Sequence, residues 1–67
     1  MSKFSERLKE LRTESGLTTR QLGEKLNISH VAIIRWENDK AVPLLDNVVA
    51  LSKFFNVTVG YMAGEEN

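Results

Sequence analysis

The sequence predicts an all-α fold: a compact domain of five short helices. Near the start of the chain, Phe4, Leu8 and Leu11 recur at helical spacing, which places them on one face of a helix. Residues that commonly begin or end helices interrupt the chain at short intervals. No stretch of useful length alternates apolar and polar residues as a half-buried strand would. These three observations favour helices packed on helices.

The expected helix ends follow from single residues. Gly16 stops the first helix, because glycine readily adopts the left-handed conformation at a C-terminus. Thr18 begins the second, and Gln21 three residues later completes a capping box. Asn27, which tolerates the left-handed region, ends that helix. The expected helices span approximately residues 3–15, 19–26, 30–37, 45–55 and 59–63.

The later helices have similar signals. Ser29 is expected to cap the third helix and Thr58 the fifth, which Gly64 closes. In the fourth helix one side is expected to face the core, and its residues are Leu45, Val48, Leu51, Ser52 and Phe55. The tail, residues 65–67, is expected to be flexible.

Composition limits the possible functions. The 67 residues are expected to form a single domain, residues 1–67. The absence of cysteine excludes disulfides and thiolate zinc sites and fits a reducing compartment. With one histidine, His30, and no glycine-rich phosphate loop, an enzyme, a metal site or a cofactor is not expected. The charged N-terminus and the lack of a long apolar run predict a cytoplasmic protein without a membrane segment, and no small-molecule ligand is evident.

Charge is unevenly spread although it sums to zero. Residues 1–40 hold eight Lys or Arg and six Asp or Glu, a net charge of +2, whereas residues 41–67 hold one lysine and three acids, a net charge of −2. A neutral total argues against an indiscriminate nucleic-acid binder. The front half of the chain can still face phosphate.

The third helix is apolar on two sides. With about 100° between successive residues, Ser29, Ala32, Ile33 and Trp36 share the arc expected to face the core. The opposite arc holds His30, Val31, Ile34 and Arg35. A DNA major groove suits that second arc, because Arg35 can bind guanine and the two aliphatic side chains can contact thymine methyl groups. The competing interpretation is that Val31 and Ile34 pack against a neighbouring protein chain.

From Arg7 to Gly64 the chain resembles the lambda-repressor-like helix-turn-helix family of phage repressors, Cro proteins and bacterial xenobiotic-response-element regulators. The resemblance rests on an ordered set of motifs: RLKELR (7–12), GLT (16–18), QLGEKLNIS (21–29), I-x-x-WEN (33–38), Pro43 and NVTVGYMAG (56–64).

This resemblance implies a cytoplasmic, nucleoid-associated bacterial DNA-binding protein, usually a homodimer, that regulates transcription. The implied base-reading residues are Ser29, His30, Val31, Ile34 and Arg35. The implied contacts to the DNA backbone are Thr18, Thr19, Asn38 and Lys40, with Arg20 added as a nearby cation. Arg12 and Glu37 correspond to a structural ion pair. The candidates for a dimer contact are Leu44, Phe54, Val59 and Tyr61.

Some positions depart from the family's pattern. Thr19 replaces a longer glutamine, and Asn27 replaces a turn glycine. Gly23 replaces the usual alanine. Glycine fits a close helix contact, but it weakens the helix by about 1 kcal/mol relative to alanine. Asp39 replaces a common glycine and brings a negative charge near the expected phosphates. Leu44 stands where a polar cap often precedes the fourth helix.

The leading hypothesis is therefore sequence-specific binding of double-stranded DNA by a phage-type or bacterial repressor that occupies a palindromic operator as a dimer. The alternative is a protein-interaction module or antitoxin of the same fold, which would bind a partner protein through Val31 and Ile34.

Overall fold

Five α-helices form the regular structure of residues 2–66, the part of the chain that this computed structural model describes. They are α1 (Lys3–Glu14), α2 (Thr19–Leu26), α3 (His30–Glu37), α4 (Leu45–Phe55) and α5 (Val59–Ala63). These residues contain no strand, and the all-α prediction is confirmed. Helix α1 ends one residue before its expected end, because Ser15 is its C-cap.

Side-chain caps and left-handed residues set the helix ends. The Thr18 hydroxyl accepts a hydrogen bond from the Gln21 amide at 3.0 Å, and Gln21 Oε1 accepts one from the Thr18 amide at 2.9 Å. Asn27 has a φ of 55° at the end of α2, and Asn56 has a φ of 57° at the end of α4. Thr58 caps α5 by accepting from the Tyr61 amide at 2.9 Å.

The expected cap at Ser29 is wrong in one respect. Ser29 is the N-cap residue of α3, but its side chain makes no capping hydrogen bond. Its φ of −59° and ψ of 129° differ from the extended conformation of Ser2, Thr18 and Thr58, the N-caps whose hydroxyls do accept such a bond. The exposed Ser29 hydroxyl is therefore not committed to its own helix.

Each helix contributes at least one buried apolar side chain to a single core. The core residues are Leu8, Leu22, Ile33, Trp36, Leu51 and Met62. The expectation that Leu45 faces this core is wrong, because its side chain is 67% exposed. Leu45 is the first residue of α4, and the apolar stripe of that helix reaches the core only further along, at Val48 and Leu51.

Packing places α3 against both α1 and α2, and α5 against α1 and α4. The connection between α2 and α3 is especially close at Gly23, where an added Cβ would lie 2.5 Å from the Ile28 carbonyl oxygen and 3.2 Å from the His30 nitrogen. Two helices joined in this way form a helix-turn-helix unit. No helix in the described range is long and apolar enough to span a membrane.

The chain after α5 lies against α1. The Arg7 guanidinium donates to the carbonyl oxygens of Tyr61 and Glu66, and the Thr58 hydroxyl donates to the Glu66 carboxylate at 2.9 Å. The expected flexible tail covered residues 65–67. Its last residue, Asn67, lies outside the described residues.

Candidate nucleic-acid interface

The outer face of α3 exposes two aliphatic side chains next to a cation. Val31 is 53% exposed and Ile34 39% exposed, and Arg35 is exposed beside them. On the opposite side of the same helix, Ile33 and Trp36 are buried in the core. The helix therefore has a buried face and a second, partly apolar face that the domain leaves open.

The start of α3 opens into a recess shared with α2. This recess has a volume of about 450 Å³, and its lining includes Arg20, Glu24, Asn27, Ser29 and His30. Sequence reasoning assigned no role to Glu24. The sequence signal that could have identified Glu24 was its position four residues after Arg20, on the same helix face. A carboxylate here repels phosphate but can accept a hydrogen bond from a cytosine amino group.

The candidate contacts to the DNA backbone fall at two places, the start of α2 and the segment after α3. At the first, Thr18 and Arg20 are exposed, and Thr19 is partly buried. At the second, Lys40 is exposed, and the Asn38 side-chain amide donates to the Ile34 carbonyl at 3.0 Å. Asn38 thus has one side-chain N–H left for a phosphate.

Arg12 and Glu37 join α1 to the end of α3. Arg12 Nε and Nη2 donate to the two Glu37 carboxylate oxygens at 2.6 and 2.9 Å, and Arg12 Nη1 donates to the Leu17 carbonyl at 2.8 Å. The hydrogen bond to Glu37 raises the pKa of Arg12. Because the two-pronged pair is shielded from water, it fixes the end of α3 against the rest of the domain.

A second link to the end of α3 was not predicted from the sequence. Asp39 Oδ2 accepts from the Ser2 amide at 2.6 Å, and Asp39 Oδ1 accepts from the Ser2 hydroxyl at 2.8 Å. These hydrogen bonds lower the pKa of Asp39. Asp39 has a φ of 58°, so it occupies a left-handed position that glycine usually takes. Its carboxylate therefore joins the start of α1 to the loop after α3.

The four candidates for a dimer contact lie in three segments: before α4, in its last turn, and in α5. Leu44 precedes α4, while Phe54 lies in the last turn of that helix and against Phe55, with their ring centroids 5.0 Å apart. Val59 and Tyr61 are partly buried, and the Arg7 guanidinium lies 4.2 Å from the centre of the Tyr61 ring. Leu44 is the most exposed of the four.

No metal-binding cluster is present among residues 2–66, where no three His, Cys, Asp or Glu side chains come together. The outer face of α3 instead offers hydrogen-bond donors, acceptors and methyl groups. Those are the groups that recognise base pairs in a major groove.

The helix-turn-helix and its open outer face define the class of the protein. Residues 8–62 match the model of the helix-turn-helix family, of the lambda-repressor-like Cro and C1 type. The chain belongs to this family. It is a helix-turn-helix DNA-binding domain of the kind found in transcriptional regulators. The regulators of this family are not enzymes.

Three curated relatives carry the same domain. The chain is 44% identical over 64 residues to the HTH-type transcriptional activator BcrR of Enterococcus faecalis, a match that covers 94% of this chain and 31% of BcrR. It is 36% identical over 63 residues to the HTH-type transcriptional regulator ImmR of Bacillus subtilis, covering 94% and 50%. For the uncharacterized HTH-type transcriptional regulator YobD of the same species, the identity is 34% over 61 residues, covering 91% and 54%. The chain therefore spans between about a third and about half of these relatives.

Proposed function

We propose that the chain recognises a specific double-stranded DNA sequence by inserting α3 into the major groove, and that it thereby regulates transcription in the bacterial cytoplasm, in association with the nucleoid. The observation that carries this proposal is the exposure of Val31 and Ile34 next to Arg35. Contact with water does not stabilise these aliphatic side chains. In a major groove, thymine methyl groups can pack against them and guanine acceptors can bind Arg35. The relatives named above come from bacteria.

Within this proposal the outer face of α3 reads bases through Ser29, His30, Val31, Ile34 and Arg35. The uncommitted Ser29 hydroxyl supports a base contact at the start of the helix, where recognition helices usually touch bases. The backbone contacts come from Thr18, Thr19, Arg20, Asn38 and Lys40, which lie at the start of α2 and just after α3.

We further propose that two copies bind a palindromic operator and repress by occupancy. Recognition helices of such dimers lie about 34 Å apart, one turn of DNA. Bound protein then excludes polymerase from an overlapping promoter. Because BcrR is named an activator, the transcription assay must be able to record an increase as well as a decrease.

Selection from a library of random duplexes tests the proposal. We expect one motif to be enriched, as two inverted half-sites about 10 base pairs apart. The same selection with Ile34→Asp should enrich nothing, because a carboxylate then faces the groove. If the wild-type chain enriches no sequence, sequence-specific recognition is excluded.

Capture of a partner protein is the second candidate function, because the exposed pair Val31 and Ile34 would also suit an apolar protein surface. A stoichiometric partner that shields both side chains, together with no enriched duplex, would favour this function over DNA recognition. Antitoxins can combine both activities, so both assays are needed on the same preparation.

A further inference from the structure

Asp39 lies between Asn38 and Lys40, the residues just after α3 for which we propose contacts to the DNA backbone. A negative charge at this place would repel the phosphates that its neighbours bind. In the structure, however, both carboxylate oxygens lie at the start of α1. Oδ2 is 2.6 Å from the Ser2 amide nitrogen, and Oδ1 is 2.8 Å from the Ser2 hydroxyl. Because a helix N-terminus stabilises an anion, the start of α1 offsets part of the Asp39 charge.

The backbone around Asp39 forms the hydrogen bonds of a Schellman motif, which commonly ends a helix. The Lys40 amide donates to the Arg35 carbonyl at 2.8 Å, and the Asp39 amide donates to the Trp36 carbonyl at 3.3 Å. Asp39, with its φ of 58°, is the left-handed residue of the motif. Its backbone therefore closes α3, while its side chain reaches α1.

Ser2, the partner of Asp39, is itself held in place. It is the N-cap of α1, and its hydroxyl accepts a hydrogen bond from the Ser5 amide at 3.1 Å. The Ser5 hydroxyl donates to the Ser2 carbonyl at 3.0 Å, and Ser5 is fully buried. The connection that starts at Asp39 therefore ends on a part of α1 that is anchored in the interior of the domain.

We propose that Asp39 is a positioning residue for DNA binding: by joining the loop after α3 to the start of α1, it holds Asn38 and Lys40 where they meet phosphate. The proposal rests on the proposed function and deepens it. A loop that is already ordered loses less conformational freedom when it binds. Removing the Asp39 side chain should therefore weaken DNA binding, whereas charge repulsion alone predicts that removing this anion strengthens it. The two effects have opposite signs.

Operator binding by Asp39→Gly tests the proposal. Glycine adopts the left-handed conformation without strain, so α3 can still end at this position, but both hydrogen bonds with Ser2 are lost. We expect the affinity for the selected operator to fall roughly 10-fold at about 0.1 M salt. The dependence of affinity on salt should flatten by roughly 1 to 2 in a dimer, because each phosphate contact contributes about 0.9 to that slope. A loss of stability alone would leave the slope unchanged.

Glu24→Gln is the matched control, since it removes an exposed carboxylate of α2 and leaves the connection from Asp39 to Ser2 intact. It should bind the operator at least as tightly as the wild-type chain. Ser2→Gly is a second variant that changes no charge. Glycine is an acceptable N-cap, but the hydroxyl that donates to Asp39 is lost. Affinity and slope should shift in the same direction as in Asp39→Gly, by less.

Combining Asp39→Gly with Lys40→Ala shows whether Asp39 acts through Lys40. The losses in affinity should add to less than their sum, because a lysine that is absent cannot be misplaced. The proposal is overturned if Asp39→Gly binds as tightly as the wild type or more tightly, if it keeps the wild-type slope, or if the two losses add in full. An equal loss in Glu24→Gln would also overturn it.

Hydrogen exchange of the Lys40 amide supplies a measurement without DNA. This amide donates to the Arg35 carbonyl, and its exchange should be roughly 2- to 10-fold faster in Asp39→Gly, because the loop opens more often once its hydrogen bonds to α1 are lost. Unchanged exchange would overturn the proposal. Failure of the wild-type chain to enrich any duplex would instead refute the proposed function, and the exchange rate would still report on the connection.

Discussion

At the scale of single residues, Arg35 and Lys40 carry the same charge but occupy different places on the side of the domain that we propose faces DNA. Arg35 belongs to the outer face of α3, while Lys40 lies three residues after that helix. A guanidinium can bind guanine O6 and N7 in the groove, whereas an ammonium outside the groove meets phosphate. The two cations should therefore contribute differently to binding.

Replacing Arg35 with alanine should cost about 1–3 kcal/mol of binding free energy on the preferred sequence and relax the preference at one base pair. Lys40→Ala is the matched control, and it should weaken all sequences by the same factor. Competition binding with single-base variants of the operator measures both effects. A uniform loss for Arg35→Ala would show that Arg35 contacts phosphate.

The ion pair of Arg12 and Glu37 is the other feature at this scale. Glu37→Gln should lower the free energy of unfolding by about 1.5–3 kcal/mol, because it removes the charge that accepts two hydrogen bonds from a shielded guanidinium. In a domain of this size the melting temperature should fall by roughly 10 °C. Thermal unfolding followed by circular dichroism gives the value.

Glu24→Gln, the same change on an exposed carboxylate, is the control for Glu37→Gln and should alter stability by less than about 0.5 kcal/mol. Equal losses in the two variants would show that the Arg12–Glu37 pair adds nothing beyond a surface charge.

At the scale of helices, the close approach of α2 to the turn before α3 makes Gly23 a sensitive position. Gly23→Ala should destabilise the domain, even though alanine favours a helix by about 1 kcal/mol over glycine. The added Cβ would meet backbone atoms of Ile28 and His30, which cannot rotate away. We expect a lower melting temperature and weaker DNA binding, since the start of α3 must shift.

Gly60→Ala is the matched control for this substitution. Gly60 is also helical, but the atoms nearest to its added Cβ all belong to the exposed Glu66 side chain, which can move away by giving up its hydrogen bond with Thr58. Its melting temperature should stay the same or rise. If Gly23→Ala also raised the melting temperature, the contact between α2 and the following turn would be looser than the structure shows.

Helix ends were predictable because their signals are local. The capping box of Thr18 and Gln21, the left-handed Asn27 and the cap at Thr58 each involve residues within a few positions of one another. Asn56, which no prediction singled out, ends α4 as Asn27 ends α2, and both asparagines are followed by an apolar residue and a hydroxyl residue. That local signal was available.

Contacts between distant residues were harder to predict. The hydrogen bonds from Ser2 to Asp39 span 37 positions. In the sequence, Asp39 stood out only as a negative charge at a position where the family commonly has glycine. The stacking of Arg7 on Tyr61 depends on how α1 and α5 pack. Arg12 with Glu37 was expected only through the resemblance to a family. Side-chain pairing across helices follows from tertiary packing, which periodicity does not specify.

At the scale of the whole molecule, the small number of exposed cations near α2 and α3 limits the electrostatic share of binding. If Arg20 and Lys40 each contact one phosphate, a dimer neutralises about four phosphates. The logarithm of affinity should then fall with the logarithm of salt concentration with a slope of roughly −3 to −4. Titrations of the selected operator between about 50 and 200 mM salt measure this slope.

Lys40→Ala removes two of these contacts per dimer and should flatten the slope by roughly 2. Lys9→Ala, the same loss of one positive charge on the exposed surface of α1, is not expected to alter the slope. A wild-type slope much steeper than −4 would require phosphate contacts from cations outside the proposed set.

The hydrogen bonds between Ser2 and Asp39 have a practical consequence for such assays. They connect the start of α1 to the loop that follows α3. Replacement of Ser2 during cloning, for example by proline, would remove both hydrogen-bond donors of this connection and should change the apparent strength of operator binding. Comparisons among variants should therefore keep Ser2 unchanged throughout.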